Sequence, residues 1–278
     1  MAASSAPSLP MFQIDAFTDR LFAGNPAAVC PLTEWLPDPV LQAIALENNL
    51  SETAFLVRRG EDYELRWFTP AVEVDLCGHA TLASAHLILD ILEPGRNRVA
   101  FQTRKAGILT VERQDGWLAM DFPARPPHPV PAPAELARAL GATPRETLMA
   151  RDLLVVFDSA REVADLTPDF AAIARLDTWA VIVTAPGDRG NGESAEGVDF
   201  VSRFFAPAKG VPEDPVTGSA HCTLVPFWAG RLGRNDLVAR QVSARGGLLR
   251  CRLSGDRVTL CGQAVLYLEG RIALPQHP

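Results

Sequence analysis

Residues 66–71 read Arg-Trp-Phe-Thr-Pro-Ala, and residues 203–208 repeat the pattern as Arg-Phe-Phe-Ala-Pro-Ala, an offset of 137. Three extra residues then enter the second copy. The offset becomes 140, carrying Gly78-His79-Ala80 onto Gly218-Ser219-Ala220 and Gly107-Ile108-Leu109 onto Gly247-Leu248-Leu249. It also carries Leu118-Ala119-Met120 onto Val258-Thr259-Leu260. A shift that persists from residue 78 to residue 120 after one insertion points to an internal duplication.

Each copy has the same coarse order. A strand (ELRWF; DFVSRFF) runs into a loop with Pro-Ala, and a glycine turn (CGHAT; TGSAH) opens a helix of small and apolar residues. Two stretches of alternating hydrophobicity then bend at Asp115-Gly116 and Gly255-Asp256, the pattern of β-hairpins. Helices this apolar all round are expected inside a curved sheet. The expected fold class is therefore α/β (α+β), two pseudo-symmetric domains, each a curved β-sheet wrapped around a central helix. Between the copies lies PARPPHPVPAPA, residues 123–134, in which six of twelve residues are proline. Proline fixes φ and removes a donor, so this stretch reads as a stiff extended linker outside sheet and helix. The domains are expected at 11–122 and 135–263.

Length and composition agree with this picture. The chain has 278 residues, enough for two domains with separate cores. A net charge of −7 with no basic cluster gives no electrostatic footprint for nucleic acid. No apolar run is long enough to span a membrane. The start, MAASSAPSLP, lacks the features of a signal peptide and reads as a loose lead into the first strand. Five scattered cysteines without CxxC spacing argue against a disulfide framework and against a structural zinc site. A reducing cytoplasm is the expected compartment, and no metal or cofactor is expected.

Gly78-His79 and Gly218-Ser219 both stand where a loop becomes a helix. The first N–H groups of a helix lack internal partners and carry the positive end of its dipole. Glycine lets a ligand approach them, so a matched pair of such ends suits a carboxylate substrate. Glu52, at a helix-to-strand junction, and Asp214, before Pro215, are the carboxylates available for acid/base work. Read alone, each is most often a turn or cap residue. Asn25 in Gly-Asn-Pro either orients a substrate carboxylate or turns the chain. His86 reads as a core or partly buried histidine and His221 as a capping-turn residue. Gly187–Glu193 reads as a flexible surface loop, because it lacks phosphate-loop spacing.

Four runs are more distinctive: Phe17-Thr18 to Gly24-Asn25-Pro26-Ala27-Ala28-Val29, Ser51-Glu52-Thr53-Ala54-Phe55, Phe68-Thr69-Pro70 to Cys77-Gly78-His79-Ala80-Thr81, and Glu213-Asp214-Pro215-Val216-Thr217-Gly218-Ser219-Ala220. In this order they resemble the PhzF-like (phenazine-biosynthesis-like) family over about residues 11–273. More remotely the chain is similar to diaminopimelate epimerase. The resemblance implies an active site in the cleft between the halves, no cofactor, and a C-terminal segment, 264–274, completing the first domain. It implies Glu52 as the catalytic acid/base, with His79, Asp214 and Ser219 as the polar groups around the reacting carbon. A homodimer is the expected assembly.

The epimerases use two opposed cysteines in Cys-Gly turns. This chain keeps Cys77-Gly78 but has Thr217-Gly218 in the second turn, and threonine cannot replace a thiolate base. The expected activity is a cofactor-independent isomerase acting on a small carboxylate-bearing molecule. Glu52 would be raised by burial, the helix N-termini would stabilise developing charge, and domain closure would exclude water. The rival readings are an amino-acid racemase or epimerase using Cys77, and an idle protein that binds a metabolite or a protein partner.

Overall fold

The computed structural model describes residues 7–188 and 197–275. Most of the loop expected at Gly187–Glu193 and the first six residues of the chain lie outside them. The rest of the leading segment is not loose: the first strand begins at Ser8.

In chain order the first copy contains β1 (Ser8–Ala16), β2 (Asn25–Leu32), α1 (Asp38–Asn48), β3 (Glu52–Arg59), β4 (Asp62–Phe68), β5 (Glu73–Val74), α2 (Gly78–His86), β6 (Arg98–Thr103), β7 (Ile108–Gln114) and β8 (Trp117–Pro123). The second contains β9 (His128–Pro129), α3 (Leu136–Leu140), β10 (Glu146–Met149), β11 (Leu153–Val156), α4 (Ala160–Asp165), α5 (Phe170–Ile173), β12 (Val181–Pro186), β13 (Phe200–Ala206), β14 (Val211–Asp214), α6 (Gly218–Leu232), β15 (Asp236–Gln241), β16 (Gly247–Ser254) and β17 (Arg257–Gly262). A last strand, β18 (Ala264–Ala273), returns to pair antiparallel with β1. The chain divides into two compact units. One holds Met1–Phe22, Pro26–Met120 and Gln263–Pro278, and the other holds Ala23–Asn25 and Asp121–Gly262.

The same pairing scheme is built twice. In the first unit the strand order is β18-β1-β2-β3-β4-β6-β7-β8, with β2–β3 and β4–β6 parallel. In the second it is β9-β10-β11-β12-β13-β15-β16-β17, with β11–β12 and β13–β15 parallel. The short β5 and β14 each add antiparallel to β4 and β13. Parallel neighbours require a crossover, and α2 and α6 supply it for β4–β6 and β13–β15.

Small residues explain how α2 fits inside its sheet. Every residue from His79 to Ala85 is buried, and the helix packs on β1, β3 and β18. Its hydroxyls are satisfied within the helix: Thr81 Oγ1 donates to Cys77 O (2.6 Å) and Ser84 Oγ to Ala80 O (2.7 Å). The apolar run after it, Leu87–Leu92, continues as a π-helical turn rather than as α-helix. That turn presents Asp90 to His86 Nδ1 at 2.8 Å, so His86 is a partly buried, paired residue. Leu41, Ile44 and Ala45 of α1 join Cys30, Phe55 and Phe68 in a separate apolar cluster. In the second unit α3, α4 and α5 add Leu136, Val163 and Ile173 to a cluster with Val155, Val183 and Phe205.

A buried ion pair repeats with the strands. Arg66 in β4 donates to both oxygens of Glu73 (2.7 and 2.8 Å), and Arg203 in β13 does the same to Glu213 (2.8 and 2.9 Å). Each guanidinium lies over a phenylalanine two residues on, 4.9 Å from Phe68 and 5.0 Å from Phe205. The bidentate fork ties β4 to β5 and β13 to β14, setting the loops that lead into α2 and α6.

The proline-rich segment departs from expectation. It is extended, yet it does not stay outside the sheet, because His128–Pro129 pair with Leu148 and Met149 of β10. Among the described residues β9 pairs with β10 alone, and an edge strand tolerates proline. Other N–H groups of the segment are also used: Ala124 donates to Asp256 O (2.8 Å) and Val130 to Thr147 O (3.1 Å). Arg125 N–H donates to Cys222 O at 2.8 Å. That carbonyl lacks its helical partner because Pro226 stands four residues on in α6.

Candidate active site

Glu52 is the first residue of β3, reached from α1 through Asn49, whose φ of 49° turns the chain sharply. Cys77 caps α2 in extended conformation, and His79 is the helix's second residue. The three side chains meet in the first unit. His79 Nε2 lies 3.2 Å from Glu52 Oε2, and His79 Nδ1 lies 3.5 Å from Cys77 Sγ. His79 and Cys77 are buried, whereas the Glu52 side chain keeps 17% of its surface exposed. Burial pushes the His79 imidazole down to about 3, so it is neutral through the physiological range. The Nε2 edge of the ring thus faces the Glu52 carboxyl, and the Nδ1 edge faces the Cys77 thiol.

A second cluster forms in the other unit around Asp214, at the end of β14. Asn25 Nδ2 donates to Asp214 Oδ1 (2.8 Å) and to Val216 O (2.9 Å). The Asp214–Asn25 bond joins residues 189 positions apart. Thr217 Oγ1 donates to Asp214 Oδ2 at 2.5 Å. Burial nevertheless outweighs these donors and pushes the Asp214 carboxyl up to about 6. Thr217 is thus the N-cap of α6 and a hydrogen-bond partner of Asp214. Gly218 and Ser219 follow it as the first residues of α6, Gly218 buried and Ser219 partly exposed.

Two residues that sequence reasoning overlooked hold this cluster. The fully buried Gln241 accepts from Thr217 N–H (2.8 Å) and donates to Asp214 O (2.7 Å). Alternation in β15 (Leu237 and Ala239 buried, then Gln241) was the available signal of an inward-facing amide. Arg245 donates to Gly24 O (2.8 Å) and Ala23 O (2.9 Å), and Gly24 N–H donates to Gly246 O (2.8 Å). The Gly-Asn-Pro turn is therefore clamped, and the Asn25 amide nitrogen is spent on Asp214 and Val216. His221 is fully buried and donates from Nδ1 to Thr217 O (2.8 Å), the bond of a capping-turn residue. Burial pushes its imidazole down to about 4.

Comparison with known proteins places this architecture. The family model described as phenazine biosynthesis-like protein matches residues 14–270. The chain belongs to the PhzF family. It is 53% identical over 267 residues to an uncharacterized isomerase of Pseudomonas aeruginosa, covering 96% of this chain and 99% of that one. An uncharacterized isomerase of Halalkalibacterium halodurans is 45% identical over 268 residues, covering 95% and 98%. The crystal structure of a PhzF-family protein from Enterococcus faecalis superposes with a TM-score of 0.90 at 45% identity, covering 96% of this chain and all of that one. With these relatives, the chain is an enzyme of the isomerase type.

Proposed function

We propose that this PhzF-family chain is a cofactor-independent isomerase that moves a proton on a small carboxylate-bearing metabolite, with Glu52 as the general acid/base. The observation that carries the reading is the 3.2 Å contact between Glu52 and a neutral His79 at the start of α2. A base must keep its lone pair available while being oriented, and a neutral imidazole packed against the carboxyl suits that task. Proton removal next to an electron-withdrawing group leaves charge on the substrate. The first N–H groups of a helix lack partners within it, and those of α2, beside Glu52 and His79, are suited to stabilise that charge.

Asp214 supports the reading in a different way. A carboxyl brought up to about 6 exchanges its proton near neutral pH, as a second acid/base group or a hydrogen-bonding handle requires. Ser219 and Gly218, beside it at the α6 N-terminus, are proposed to hold the substrate. Independence of a cofactor rests on the family resemblance. A two-thiol racemase fits less well, because the residue matching Cys77 is Thr217, whose hydroxyl is engaged by Asp214.

The test is hydrogen exchange in D2O across a panel of small carboxylic and amino acids, read by NMR. The wild type should wash deuterium into one carbon of its substrate, and Glu52→Gln should slow this by about 10²–10⁴-fold. Undiminished exchange in Glu52→Gln would refute the assignment. Exchange abolished by Cys77→Ser, with Glu52→Gln active, would move the chemistry to the thiol.

A further inference from the structure

Cys77, His79 and Glu52 bring a sulfur, a nitrogen and an oxygen donor together on three fixed points: a helix cap, the first turn of that helix and the first residue of a strand. One ligand atom from each lies within 4.8 Å of the others, and among the described residues no other trio of histidine, cysteine and carboxylate is so placed. Tetrahedral zinc, with bonds of about 2.0–2.3 Å, sets its ligand atoms roughly 3.2–3.8 Å apart. The His79–Glu52 contact of 3.2 Å is already there. Cys77 Sγ meets the other ring nitrogen, Nδ1, at 3.5 Å, so a single ion would be reached by side-chain rotation that brings the three donors to one point.

The donor set is selective. Thiolate, imidazole and carboxylate together match a borderline-soft divalent ion, whereas Mg²⁺ and Ca²⁺ prefer all-oxygen shells. Three protein ligands leave a fourth position open.

We propose that Glu52, Cys77 and His79 form a binding site for Zn²⁺, and that occupancy silences the enzyme by tying up its base. On binding, the Cys77 S–H bond breaks, its proton passes to bulk water and the thiolate sulfur bonds the metal; nothing is oxidised or reduced. Silencing rests on the reading of Glu52 as the acid/base, whereas metal binding does not.

Co²⁺ serves as the spectroscopic probe, titrated into the full-length, metal-free protein under reducing conditions. Expected are one equivalent bound, a thiolate-to-cobalt charge-transfer band in the near ultraviolet, and displacement of both by Zn²⁺. Cys77→Ser, which preserves shape, should lose the band and weaken Zn²⁺ binding beyond the roughly 10–100-fold seen when only an outer partner is lost. Glu52→Gln should keep the band and bind more weakly. Cys261→Ser, at the one cysteine that is not fully buried, should change nothing. The site is refuted if the wild type shows no saturable band, if the band survives in Cys77→Ser, or if Cys261→Ser abolishes it. Zn²⁺ that binds with this residue dependence yet leaves deuterium exchange untouched would overturn the silencing and leave the metal site standing.

Discussion

Asp214→Asn should make the protein more stable at neutral pH and erase a pH dependence that the wild type carries. The Asp214 carboxyl, at 3.8 in an unstructured chain, stands at about 6 in the fold, after the help of Asn25 and Thr217. Its folded value is raised, so between these two values the folded protein holds a proton that the unfolded chain has released. Stability is therefore highest below about 4, falls as pH rises through the window, and stays low above about 6. At about 1.4 kcal/mol per pH unit the full loss is about 3 kcal/mol. Asp214 is only partly buried, and screening by solvent brings the expected difference to about 1–2 kcal/mol. Asparagine keeps both contacts: its oxygen accepts from Asn25, and its amide donates to a Thr217 hydroxyl that turns to receive it. Urea unfolding of both proteins at pH 4 to 8 and constant ionic strength measures the gap. Asp214→Asn should be the more stable at pH 8, with the gap closing toward pH 4. A variant less stable at pH 8, or a gap that is the same at both ends, would refute the burial argument.

Asn25→Ala removes one donor from Asp214, so that carboxyl should rise above about 6, read by ¹³C NMR of the side chain; an unchanged titration would count against the Asn25 contact. Arg66→Ala takes away a buried guanidinium bonded to Glu73 and Asp38 and stacked near Trp35 and Phe68, and should cost about 2–4 kcal/mol in urea unfolding. Arg66→Lys should recover less than half of that, because an ammonium cannot reproduce the fork. Gly187→Ala should cost about 1–3 kcal/mol in thermal melts, since its Cβ would stand 2.3 Å from the Val198 carbonyl oxygen, a backbone atom that cannot step aside.

The parts of this fold that a single sequence reveals are those encoded within a dozen residues. The glycine turns, the small-residue helices after them and the hairpins at Asp115-Gly116 and Gly255-Asp256 are local, and the structure builds each of them. The duplicated strand order followed from the repeat because the same local units came in the same sequence. Harder to read were pairings set by distance in space. Glu73 and Glu213 sit at the same offset as their neighbours, but only the folded strands β5 and β14 reveal them as partners of Arg66 and Arg203. The edge pairing of His128–Pro129 was hidden by proline content, which forbids a central strand and permits an edge one. The Leu87–Leu92 turn was illegible for another reason: an apolar run fits α and π winding equally well.

What the two copies share and where they part company have different physical origins. The shared features are strand order, crossover helix and buried Arg–Glu fork, all of which keep the backbone of each unit in place. The differences fall at the two residues that begin each central helix. In the first unit the cap and first turn carry Cys77, which meets His79, and His79, which meets Glu52. In the second the matching positions are Thr217 and Ser219, and Gln241 fixes the Thr217 cap through its backbone N–H. That amide bridge leaves Asp214 as the one titratable group of its cluster near neutrality, its position set by Asn25 and Thr217. The duplicated scaffold thus repeats its strands and Arg–Glu forks while the caps of its central helices differ.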